Sequence, residues 1–191
     1  MTAPPTSHAA ARLLDEALVR VGDSPVLADV EDLAKWLSDA LFDPQRPSGF
    51  DLLGDLLAAD QESRLTGEAV VLAGAASGHV MVVRHFPAGQ PTPIHGHGGW
   101  GAVVVLDGRG RYETWLPVSE GRAELGAVCE LGPGDTLAWP NPPDDVHRQE
   151  GLTGGVTELT IFARHPYHTW APQFLPAAEL PHIPQPRTTS I

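Results

Sequence analysis

Two histidines, His95 and His97, stand two residues apart in the run Pro-Thr-Pro-Ile-His-Gly-His-Gly-Gly-Trp-Gly over positions 91–101. Imidazole suits most first-row divalent cations. Side chains alternate along an extended strand, so this spacing aims both rings the same way, with backbones roughly 6–7 Å apart. The pair would hold one ion if a third ligand faced it. Gly96, Gly98 and Gly99 remove bulk around the rings and leave room for a metal, a substrate and dioxygen. An H-x-H pair also recurs on surfaces in a chain with nine histidines, so alone it is a weak signal.

Other ligand types are scarce. The single cysteine, Cys129, excludes an intramolecular disulfide framework and a cysteine-built site, and fits a reducing compartment. It has no evident basic neighbour and reads as a small buried hydrophobe. Histidines and carboxylates remain. Glu158 reads as a carboxylate ligand, a general base, an ion-pair partner for an arginine, or a solvated strand edge. His79, His85, His165 and His168 read as non-ligands.

Arg84 is the most informative cation. It lies in the run Val80, Val82, Arg84, Phe86, which alternates with Met81, Val83 and His85. With the first set inward, a buried guanidinium needs an anionic partner, and a substrate carboxylate would serve. With the second set inward, Arg84 stands in solvent. Arg64 and Arg111 are further candidates for the anchoring role, each with a plain surface charge as the alternative. Tyr112, Trp100 and Trp115 read as pocket walls or as core.

The elements that must position these residues follow from periodicity. Helical spacing of Ala10, Leu13, Leu14, Ala17, Leu18 and Val21 predicts a helix from His8 to Val21. Ser24-Pro25 reads as an N-cap with proline at the first helical position. The helix it opens carries Val30, Leu33, Trp36, Leu37, Ala40 and Leu41, and Pro44 and Pro47 end it. A third helix is predicted from Phe50 to Ala59. Strands are predicted over 70–73, 80–86, 100–106, 110–116, 127–131, 136–139, 146–149 and 157–163, with turns at Asp107-Gly108 and Ser119-Glu120-Gly121. The 20 glycines and 19 prolines suit many short strands, arranged as a sandwich or barrel. This divides the chain into a helical extension (1–64), a barrel (65–165) and a Pro-rich wrap and tail (166–191).

A net charge of −12 argues against nucleic acid and anionic membrane surfaces as partners. No stretch of 18 apolar residues and no signal peptide is read, so the expected setting is cytoplasmic. The sequence leaves a homodimer open.

Together these motifs resemble the cupins. Gly89, five residues, His95-x-His97, then Gly108 matches the spacing of the first cupin signature. Gly101 stands where a glutamate usually follows the histidines. The second signature runs from Gly134 through five residues to Pro140 and, after a long loop, His147. The resemblance covers roughly residues 65–165. It implies a mainly β fold, a double-stranded β-helix (jelly-roll) barrel with the N-terminal helices packed outside. It also implies a metal held inside by His95, His97 and His147.

Within cupins, residues 92–101 and Asp145-Val146-His147-Arg148 are similar to the three-histidine thiol dioxygenases, of the cysteine dioxygenase and bacterial 3-mercaptopropionate dioxygenase type. That likeness implies Fe(II), a small thiol such as cysteine or a related thiol acid, and O2. Imidazole sites also accept Ni, Mn, Co, Cu or Zn. A Ser, His and Tyr normally alternate along a late strand there, whereas Glu158, Thr160 and Phe162 are the match here, which opens the product beyond the sulfinate. The residues also suit a cupin acting on a carbonyl or enolate, and a non-catalytic cupin that binds a small molecule.

Overall fold

The computed structural model describes residues 8–42, 52–165 and 172–177. The tail at 1–7, the helix stops Pro44 and Pro47, the start at Phe50, His168 and the segment from 178 onward lie outside the described residues.

Helix α1 (His8–Val21) buries Ala10, Leu13, Leu14, Ala17 and Val21, the stripe that its spacing predicts. Gly22, at φ 71°, follows it and donates to the Leu18 carbonyl, which stops the helix. Helix α2 (Leu27–Phe42) starts later than Ser24-Pro25 predicts. The Asp29 carboxylate reaches back to the Val26 N–H at 2.9 Å, half of a capping box, and that bond sets the start. Helix α3 (Leu53–Thr66) runs past Ala59 to a left-handed Gly67 at φ 74°. Its last two turns are polar and carry no apolar stripe, so periodicity did not reveal them.

Among the described residues eight strands follow: β1 (Val70–Gly74), β2 (Val80–Phe86), β3 (Ile94–His95), β4 (Gly101–Ser119), β5 (Arg122–Leu131), β6 (Thr136–Trp139), β7 (His147–Phe162) and β8 (Gln173–Pro176). They lie in the order β1-β2-β7-β3-β8-β5-β4-β6, and an additional β4–β7 pairing closes the barrel. The fold is mainly β, a closed barrel with three helices outside, as the sequence indicates.

Two predicted breaks are continuous strand instead. Asp107-Gly108 is a bulge inside β4, where the register against β7 slips between Val105 and Asp107 and again between Gly108 and Gly110. A Cβ on Gly108 would collide with the Gly155 carbonyl, so the glycine permits close backbone approach across the pair. The predicted strands 146–149 and 157–163 are likewise two ends of β7.

Strand β2 has both faces covered. Met81 and Val83 join Ala102, Val104, Leu159 and Ile161 in one core with Leu13, Leu14, Leu33 and Leu37 of the helices. Val80 and Val82 face the barrel interior with Val103, Tyr112, Trp139 and Phe162. Full burial of one such leucine is worth roughly 1.5–3 kcal/mol, so this layer anchors the helices to the sheet. The shared core explains why β2 is apolar on both sides, and why its sequence alone left two orientations open. Arg84 is on the interior side.

Among the described residues, no helix is long and apolar enough to cross a membrane.

Candidate metal centre

His95 and His147 are direct cross-strand partners between β3 and β7. Opposed antiparallel side chains start roughly 5 Å apart, which brings these two rings together. Their centroids are 4.7 Å apart. His97 joins them differently from the way strand alternation predicts. Strand β3 ends at His95, and His97 sits in the loop that follows. The loop turns its ring to 4.8 Å from His95 and 4.9 Å from His147. One ligating nitrogen from each of the three histidines falls within 4.8 Å of the others.

The tautomers favour ligation. His95 Nδ1 donates to the Pro93 carbonyl at 2.8 Å, and His147 Nδ1 donates to the Asp145 carbonyl at 3.1 Å. In the neutral rings, both Nε2 lone pairs are therefore left for a ligand. His97 Nε2 lies 3.2 Å from His147 Nε2, close enough for one cation to bind both nitrogens. Burial lowers the pKa of all three rings, that of His97 to about 3, with neighbouring imidazoles adding to the effect at His97 and His147. They are neutral at pH 7, the form that binds metal. The donor set fits a divalent ion.

No carboxylate can join from the position where cupins usually carry one. A Cβ at Gly101 would run into the Trp139 ring. Trp139 fills that space, stacked 5.2 Å from His97 and tilted against His147 at 4.7 Å. Its Nε1 donates to the Gly99 carbonyl at 3.0 Å. Phe162 covers another side of His97 at 4.8 Å, and Tyr112 packs on His147 at 5.0 Å.

The three imidazoles open into a cavity of about 160 Å³. Its polar lining comes from Arg84, Thr92, Gln149 and Thr160 as well as the histidines. This is well below the roughly 300–1,000 Å³ of pockets for drug-sized ligands, so it admits only a small molecule. Arg84 lies directly across from Glu158 in the β2–β7 register. Its guanidinium carbon sits 4.8 Å from the centre of the Phe86 ring, and its buried Nε has no hydrogen-bond partner. Glu158 lies behind the cavity wall, with a single long bond of 3.4 Å from Gln149 Nε2. Burial raises its pKa to about 7, against the opposing effects of Gln149 and the Arg84 charge. The Tyr112 hydroxyl is also buried without a partner, and burial pushes its pKa well up.

Several expectations change in this geometry. Gly96, Gly98 and Gly99, flanking the histidines, do not line the cavity. A Cβ on Gly96 would come within 2.9 Å of an Asp145 carboxylate oxygen, and one on Gly99 within 3.0 Å of Ala163, so these glycines admit neighbouring protein rather than substrate. Arg64 is outside the barrel, bound to Asp60 at 2.9 Å and Asp107 at 3.2 Å. Arg111 is on an outward face, paired with Glu113 at 2.9 Å. Trp100 packs under the helices and Trp115 in a separate small cluster. Cys129 is exposed rather than buried. His79 and His85 stand apart from the three ligating rings.

Trp139, Gln149, Thr92 and the carboxylate of Asp145 were not singled out by sequence. Gln149 was within reach, since it follows His147 by two residues on the same strand and shares its face.

No protein-family model and no curated protein matches the sequence. Solved structures do resemble it. One is a protein with a double-stranded β-helix domain from Klebsiella pneumoniae, with a TM-score of 0.43 and 19% identity over 58% of this chain and 87% of that one. Another is a cupin superfamily protein from Desulfitobacterium hafniense, with a TM-score of 0.41 and 18% identity over 51% of this chain and 77% of that one. A variant of Bacillus subtilis oxalate decarboxylase gives 0.41 and 19%, over 52% of this chain but only 25% of its own.

Proposed function

We propose that this protein is a non-haem, metal-dependent oxygenase of a small thiol acid, cysteine or a close relative. The observation that carries the reading is a carboxylate-free set of three converging neutral imidazoles opening on a small cavity that also holds Arg84. His95, His97 and His147 would hold the ion, Fe(II) on the likeness to the thiol dioxygenases. Three neutral donors would leave its 2+ charge uncancelled, which would favour an anionic thiolate, and a redox-active ion there would supply the chemistry that joins a thiol to dioxygen.

The chain's own groups do the rest. Arg84, with a buried N–H unsatisfied, takes the substrate carboxylate. Phe86 braces the guanidinium from one side, and Trp139 and Phe162 keep water from the histidines. Thr160 and Gln149 give the remaining wall polar atoms, and Glu158 holds a proton close behind it near neutral pH.

The test is oxygen uptake by protein loaded anaerobically with Fe(II) and offered cysteine, 3-mercaptopropionate and cysteamine. The expected result is thiol-dependent uptake, strongest with the two acids, and a product heavier by two oxygen atoms. Unchanged thiols with every first-row metal would overturn the reading. Uptake with a carbonyl acid instead would move it to an enolate substrate.

A further inference from the structure

The position of His97 poses a question that its own strand does not answer. Strand β3 has ended before it, yet its ring is brought to the other two. The bonds that hold this loop come from elsewhere in the chain. One carboxylate oxygen of Asp145 accepts the backbone N–H of His97 and that of Gly98, each at 2.7 Å. The carbonyl of the same residue accepts Nδ1–H of His147 at 3.1 Å. Asp145 is buried, with a relative exposure of 2%. Gly96 is the complementary half of the device, because a side chain there would press on the carboxylate.

From this we infer that Asp145 is the positioning residue of the metal centre. Its side chain fixes where His97 stands, and its main chain fixes which nitrogen of His147 faces the ion. One residue thus ties together ligands that are 50 positions apart in sequence. Without the carboxylate, two loop N–H groups lose their acceptor, and the loop is released to rotate the His97 ring off the convergence point. Asp145 does not line the cavity, and acts only through the two histidines. The inference rests on the metal-binding reading above.

The experiment measures Co(II) and Zn(II) affinity of the full chain by competition with a chelating indicator, together with the visible Co(II) spectrum and the melting temperature of the metal-free protein. Asp145→Ala is expected to weaken binding roughly 10- to 100-fold, the usual cost of losing a group that orients a ligand. It should also change the Co(II) band pattern, as one imidazole leaves its place. Asp145→Asn keeps an oxygen for the loop amides and is expected to recover much of the affinity. Gly96→Ala displaces the carboxylate without removing it, so it reproduces the loss in a chain whose Asp145 is intact and covers the case in which Asp145→Ala fails to fold. Glu113→Gln, at an equally buried carboxylate on an outward face, is expected to lower the melting temperature and leave the affinity alone.

Wild-type affinity and spectrum in Asp145→Ala, or in Gly96→Ala if the first does not fold, would overturn the inference. A wild-type protein that takes up neither ion would instead overturn the metal reading itself.

Discussion

Strands β2 and β7 carry a polar cluster on each face. On the outer face, the Thr157 hydroxyl donates to Asp60 at 2.6 Å and accepts from Arg64 at 3.1 Å and from His85 Nδ1 at 3.0 Å. Ser63 Oγ accepts the His85 N–H and donates to the Glu68 carbonyl. These bonds clamp α3 to the sheet. On the inner face, one residue away along the same strands, Arg84 Nε and the neighbouring Tyr112 hydroxyl have no partner and Glu158 has one long bond. Buried polar groups are normally satisfied, and leaving one unmade costs about 1–3 kcal/mol. The outer cluster uses its hydrogen bonding within the fold. The inner one leaves donors without a partner, and on the reading proposed above a substrate carboxylate would complete the one at Arg84, which lines the cavity.

That contrast can be broken by mutation. The largest effect is expected from His147→Ala, which should lower metal affinity by more than roughly 100-fold and, by emptying a fully buried position, also lower the melting temperature of the metal-free protein. Retained affinity in a chelator competition would place the ion elsewhere.

Glu158 tests the inner face through pH. Its folded pKa of about 7 lies above the reference value of 4.5, so the native state keeps a proton that the unfolded chain releases. Its contribution to stability is therefore greatest at low pH and falls as pH rises from about 4.5 to 7, by roughly 3 kcal/mol in all. The buried histidines, with lowered values, slope the other way below 6.5. Denaturant midpoints of Glu158→Gln minus wild type isolate the carboxyl. The difference should grow in favour of the variant through that window, and a flat difference would contradict the burial argument.

Arg84→Ala should cost roughly 10- to 100-fold in kcat/KM with a thiol acid, the worth of a charge-assisted hydrogen bond, and little with cysteamine, which lacks the carboxylate. Equal losses on both substrates would remove the anchoring role. The smallest effect is assigned to the outer face. Thr157→Val should lower stability by about 1–2 kcal/mol in denaturant melts and leave metal affinity and turnover unchanged. A loss of turnover would erase the distinction between the two faces.

Much of this was legible in the sequence because it is local. The stripe of α1, the alternation of β2 and the spacing of His95 from His97 are short-range patterns, and the structure brings both histidines together with His147. What was not legible is set by partners distant in the chain. Gly108 looks like a turn until Gly155 is placed against it, and Gly96 looks like empty space until the Asp145 carboxylate enters it. Gly101 shows only that a glutamate is missing, and Trp139, 38 positions later, is what took the room. The inward setting of Arg84 depended on knowing that helices cover the other face of its strand.

On the proposed reading, a divalent ion is held by three imidazoles and no acidic side chain. X-ray absorption of the Zn(II)-loaded protein measures this most directly. The prediction is a first shell with three nitrogens at about 2.0–2.1 Å and the outer scattering of three imidazole rings, one of them lost in His95→Ala. A shell with fewer rings, a protein carboxylate in place of one, or a spectrum that His95→Ala leaves unchanged would contradict it.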